Sequence, residues 1–99
     1  MTDLEICKRI AEVEKIHVSN VDAGMYDPLT DKVLCFDLMV KHEINLTSMD
    51  SVYGCGRIER EYICFQQGAY PLNVANTLST DADPQRAICL AIINKDNKQ

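Results

Sequence analysis

Asp83-Pro84-Gln85-Arg86-Ala87-Ile88-Cys89-Leu90-Ala91-Ile92-Ile93-Asn94 is the stretch on which the fold turns. Asp83 carries an N-cap side chain, and Pro84 suits the first helical position, where a missing N–H removes no hydrogen bond. From Arg86 to Asn94 the run of Ala, Ile, Cys and Leu has almost no polar face, which predicts a helix buried on nearly all sides. Such a helix needs layers around it, and 99 residues can build one core, so the chain reads as a single domain over 1–99. Lys95 to Gln99 is polar and is expected to fray.

Working back along the chain, Asp27-Pro28 repeats the cap signature ahead of Val33-Leu34-Cys35-Phe36-Asp37-Leu38-Met39-Val40. This second helix is apolar over most of its circumference and is expected to be the most buried, with Lys32, Asp37 and Lys41 as its wet stripe and His42-Glu43 at its end. Thr2-Asp3-Leu4-Glu5 has capping-box spacing, and Ile6, Cys7, Ile10, Ala11 and Val13 recur at helical intervals, giving a first helix from about Asp3 to about Glu14. Local ion pairs are expected for Glu5 with Arg9, Lys8 with Glu12 and Asp37 with Lys41. Ser19 to Gly24 reads as loop. Ile44 to Thr47 and Ile58 to Phe65 read as two antiparallel strands joined across Met49 to Gly56. Between Gln66 and Thr80 the Asn73 to Ser79 stretch reads as loop, while Tyr70, Leu72 and Val74 alternate as a third strand would. The expected fold is α+β: a small antiparallel sheet of two to three strands packed with three helices, in the order helix, helix, strand, strand, helix.

Fifteen Asp and Glu against ten Lys and Arg give a net charge of −5 and argue against direct contact with nucleic acid or an anionic membrane. Residues 1 to 31 hold seven acidic and three basic side chains, a balance of −4, whereas 57 to 99 hold five of each. Asp3, Glu5, Glu12, Glu14, Asp22, Asp27 and Asp31 are therefore the candidate partner-binding residues: an acidic surface suited to a basic groove, set against the plainer reading of ordinary solubilising charge. Five scattered cysteines, with no secretory signal pattern at the N-terminus, point to a reduced, cytoplasmic setting in which cysteine behaves as a small hydrophobe.

Catalytic readings find little to stand on. His17 and His42 are the only bases of their kind for a nucleophilic cysteine, Glu59 and Glu61 share a strand face but sit beside Arg57 and Arg60 as a charged edge would, and Gly54 and Gly56 lack the helix and lysine of a phosphate loop. No two cysteines are two to four residues apart, so no zinc site and no other cofactor is expected. The chain is read as no enzyme, with a small hydrolase as the remote alternative, to be revived by a pocket that brings His17 or His42 within hydrogen-bond distance of a cysteine or carboxylate.

Tyr26-Asp27-Pro28-Leu29-Thr30-Asp31 leading into Cys35-Phe36-Asp37-Leu38-Met39, together with Asp83 to Ala91, resembles the small phage-encoded NinX-like proteins and the phage ABA-sandwich domain. Asp3-Leu4-Glu5-Ile6 with Ala11-Glu12 is similar to their first helix, so the resemblance spans most of the chain outside Thr47 to Ser79; the strand tryptophans common in that family are absent. The resemblance implies an α/β/α layering, no enzyme activity and no catalytic residues. It also implies a phage or prophage accessory protein that binds a host protein in the bacterial cytoplasm. The function expected on these grounds is an anti-defence inhibitor, anti-CRISPR or anti-restriction, whose carboxylates mimic DNA on a basic host surface. The alternative is a structural or regulatory phage domain that pairs with itself or another protein through an apolar face.

Overall fold

The computed structural model describes residues 1–52, 54, 56, 58–66 and 77–97. Helix α1 (Asp3–Val13) starts where Thr2 Oγ1 accepts from the Glu5 amide at 3.2 Å and donates to Glu5 Oε1 at 3.0 Å, which satisfies an amide that the helix leaves orphaned. Its end is a Schellman turn: Lys15 sits in the left-handed region at φ 58°, its N–H reaches the Glu12 carbonyl, and the Ile16 N–H reaches Ala11 at 2.8 Å. One turn of helix, α2 (Ser19–Asp22), lies within the stretch read from sequence as loop.

Helix α3 (Lys32–Lys41) departs from expectation twice. Asp27 does not cap it: the Asp27 carbonyl accepts from Thr30 and Asp31, and its carboxylate accepts from the Leu29 amide, so Asp27-Pro28 builds a turn ahead of the helix. Asp31 is the cap, accepting from the Leu34 amide at 3.1 Å. Nor is α3 the most buried helix. Only Cys35 and Leu38 are buried, while Val33, Phe36 and Val40 are 72%, 58% and 60% exposed.

Strand β1 (Ile44–Val52) is more than twice the length expected, and pairs antiparallel with β2 (Ile58–Gln66) from Ile44 opposite Gln66 to Val52 opposite Ile58. The third strand expected at Tyr70 to Val74 falls outside the described residues. A third strand does form at β3 (Thr77–Asp81), in part of the chain read as loop, and pairs antiparallel with β2 in the sheet order β1-β2-β3. Among the described residues β3 pairs with Tyr62 to Phe65 and not with the Glu59 to Glu61 end of β2, which has β1 as its neighbour there. Arg60 and Asp50 face each other across that end, 2.8 Å apart.

Helix α4 (Pro84–Asn97) is the hub, packing against α1, α3 and all three strands. Asp83 caps it through the Gln85 amide at 2.9 Å. Lys95 to Asn97, expected to fray, are helical because Arg9 binds Asp96 at 2.8 Å and Asn97 at 3.0 Å, and Lys95 Nζ donates to the His42 carbonyl at 2.5 Å. Period-two alternation turns Ile44, Leu46, Tyr62 and Cys64 toward the helices, where they meet Ile6, Ile10, Leu38, Ile88 and Ile92 in one core. The α+β class, one antiparallel sheet packed with helices, is thus as the sequence indicates. Among the described residues no helix is long and apolar enough to cross a membrane.

One core atom is out of balance. The Tyr26 hydroxyl is buried with no hydrogen-bond partner among the described residues, and burial pushes its ionisation up to about 12. An unpaired buried hydroxyl costs about 1–3 kcal/mol, so Tyr26→Phe should raise the unfolding free energy by about 1 kcal/mol. Urea denaturation checks this, and a loss of stability would show that the hydroxyl has a partner after all.

Candidate functional site

The seven acidic residues singled out from the sequence do not share one environment. Asp3 pairs with Arg86, Glu12 lies 3.5 Å from Arg9, Asp22 lies 3.5 Å from Lys8, and Glu14 is bound by Lys41 and His42. Glu5 and Asp31 are exposed but serve as helix-capping acceptors or partners, and Asp27 is half-buried. None of the i,i+4 pairs read from sequence is among these: Arg9 meets Glu12 at i,i+3 and Asp96 on α4, Lys8 meets Asp22, and Lys41 meets Glu14. Exposed carboxylates thus sit beside lysines and arginines, which lowers the local potential that attracts a basic surface.

The outer face of α3 is different in kind. Val33, Phe36 and Val40 recur at i, i+3 and i+7, so they form one apolar stripe, and the helix turns its Cys35 and Leu38 side inward. Lys32 and Asp37 flank the stripe, both exposed and neither in an ion pair among the described residues. The sequence reading missed this face because it took the apolar run as buried over most of its circumference, with only Lys32, Asp37 and Lys41 as a wet stripe.

A second cluster joins the ends of α1 and α3. Glu14 and His42 are the C-caps of those helices, and both chains leave through left-handed residues, Lys15 and Glu43, which turns the two caps toward each other. The Glu14 side chain, 9% exposed, accepts from Lys41 at 2.9 Å and contacts His42 Nε2 at 3.1 Å. Burial acts to raise the Glu14 carboxyl, but the hydrogen bonds from Lys41 and His42 outweigh it and hold the group below its ordinary value. A small cavity of about 130 Å³ adjoins, lined by Val13, Lys41, His42, Ile92, Lys95 and Asp96. It meets the criterion set for a histidine beside a carboxylate, and none of its lining residues is a serine, threonine or cysteine. His17 is exposed, its Nδ1 2.8 Å from Ser19 Oγ.

Four cysteines are free and buried, as a structural role requires, and Cys55 lies outside the described residues. Burial, with the hydrogen bond to Asp27, pushes the Cys7 thiol up to about 11, and burial pushes Cys64 up to about 11. Hydrogen bonding with Cys35 and burial raise Cys89 further. Thiols held protonated at neutral pH are poor nucleophiles. No group of three or more His, Cys, Asp or Glu arranged to hold a metal ion occurs among the described residues. Comparison with known protein families, with curated proteins and with solved structures finds no match in any of the three.

Proposed function

We propose that this chain works by binding rather than by catalysis, and that its contact surface is the outer face of α3 pairing with α3 of a second copy. The observation that carries the reading is the exposed stripe of Val33, Phe36 and Val40. Its spacing is that of a, d and a positions in a heptad, which places Lys32 at g and Asp37 at e. In a parallel pair of such helices each Lys32 meets Asp37 of the other copy, so the two charges left without partners in the single chain become complementary. Burying three large apolar side chains from each copy is worth at most about 2 kcal/mol apiece, against about 4–15 kcal/mol of lost translational and rotational freedom and further side-chain ordering, so the pair is weak and its population rises with concentration.

Sedimentation across a wide concentration range tests this. The native chain should shift from monomer to dimer, Phe36→Asp should stay monomeric with unchanged denaturation, and Lys32→Asp should weaken the dimer until Asp37→Lys is added. A native chain that sediments as a monomer at every concentration would overturn the proposal.

A second reading rests on the exposure of Asp3, Glu5, Glu12, Asp22 and Asp31 together with the charge of −5. On that reading the chain is a phage-type anti-defence inhibitor that covers a basic, nucleic-acid-binding host surface. Capture from a bacterial lysate at low and high salt separates the two: charge-driven binding falls with salt and with charge reversal at these positions, whereas the α3 contact persists.

A further inference from the structure

We propose that the cavity between α1 and the 21–30 segment binds a fragment-sized organic cation, an ammonium group carried on an apolar body. The cavity, open to solvent on one side, has a volume of about 240 Å³, below the roughly 300–1,000 Å³ of drug-sized pockets, and so suits a smaller molecule. Leu4, Val21 and Leu29 supply apolar wall, and Tyr26 supplies an aromatic one. The charged side chains at its lining, Asp3 and Asp27, are both acidic.

Asp27 gives the site its sign. Four carboxylates among the described residues are half-buried: Glu14, Asp27, Asp81 and Asp96. Glu14 is held by Lys41 and His42, Asp81 lies 3.2 Å from Arg86, and Asp96 lies 2.8 Å from Arg9. Asp27 alone of the four has no basic partner among the described residues. It makes two uncharged contacts through Oδ1, from the Leu29 amide at 3.2 Å and the Cys7 thiol at 3.5 Å. A half-buried carboxylate with only uncharged partners leaves its charge free to attract a cation, and apolar walls beside it take up the cation's organic part. Asp3, at the same cavity, is already neutralised by Arg86. The ligand therefore approaches Asp27 with its positive end and lays its apolar part along Leu4, Val21 and Leu29.

Titration of the protein with 2-phenylethylamine and with its uncharged counterpart 2-phenylethanol, followed by NMR, tests the assignment. The amine should give saturable shifts at Leu4, Val21, Tyr26 and Leu29, and the alcohol should bind at least tenfold more weakly. Asp27→Asn keeps an oxygen for the Leu29 amide and should reduce the amine to the affinity of the alcohol. Val21→Phe should fill the cavity and abolish both. Phe36→Asp should leave the titration unchanged, which separates this site from the α3 surface. Equal affinity for amine and alcohol, survival of amine binding in Asp27→Asn, or no saturable shift at all would overturn it.

Discussion

Glu14→Ala lowers the unfolding free energy by about 3 kcal/mol at neutral pH, and that loss shrinks in acid. The carboxylate sits between two helix ends with 9% of its side chain exposed, bound by Lys41 at 2.9 Å and His42 at 3.1 Å. Hydrogen bonds to charged groups contribute about 1.5–3 kcal/mol each, and removing one partner from a largely buried ion pair costs about 3–5 kcal/mol. The lower end applies here because Lys41 is mostly exposed and recovers hydration when freed. Glu14 also stands at the C-terminus of α1, where the helix dipole opposes a negative charge, so Lys41 and His42 must first offset that repulsion. The sign with pH follows from the depressed carboxyl. A group held below its ordinary value of 4.5 contributes stability that is fully present above that value and is lost as pH falls through the folded-state value. Urea denaturation of the native chain and Glu14→Ala at pH 7 and again at pH 3 should therefore show a wide gap that narrows in acid. A gap of the same size at both would mean that Glu14 acts by packing and not by charge.

This contact marks the limit of what the residue order discloses. Glu14 and His42 are 28 positions apart, and the two turns that bring them together are made by Lys15 and Glu43, not by the glycines that usually signal a left-handed helix exit. Helix α4 was legible because its cap and its apolar run agree, and the β1–β2 hairpin because Ile, Tyr, Cys and Phe favour a pleated surface. Strand β3 was not, since Thr77-Leu78-Ser79-Thr80-Asp81 has the composition of a turn and becomes a strand by pairing with β2 and through the Ser79 hydroxyl donating to the Ala87 carbonyl at 2.5 Å. Asp27-Pro28 carries the cap signature in the sequence, but the helix starts after Asp31, whose carboxylate accepts from the Leu34 amide three residues on. Asp3, Glu5, Glu12, Asp22 and Asp31 are exposed, and the pairing of Asp22 with Lys8, Glu14 with Lys41 and Asp3 with Arg86 depends on which segments become neighbours.

The largest stability loss should come from α4. Ile92→Ala is expected to cost about 3–4 kcal/mol, because Ile92 is 1% exposed in a helix that touches α1, α3 and every strand. Truncating a buried isoleucine forfeits its transfer free energy and leaves a cavity that neighbours close only in part, and close packing of Ile6, Ile10, Ile88 and Ile92 leaves little room to relax. Against a total of about 5–15 kcal/mol for a domain, that loss removes a large share of the folding free energy. Val33→Ala is the matched control. It deletes two methyl groups from a side chain of the same class, yet 72% exposure means that little apolar surface returns to water, and the change should stay within about 0.5 kcal/mol. The two valine and isoleucine positions looked alike in the sequence, each inside an apolar run behind an Asp-Pro pair. Chemical denaturation of both variants reads the difference directly. If Val33→Ala cost as much as Ile92→Ala in dilute solution, α3 would be covered within the single chain, and its stripe would belong to the core instead of to a partner.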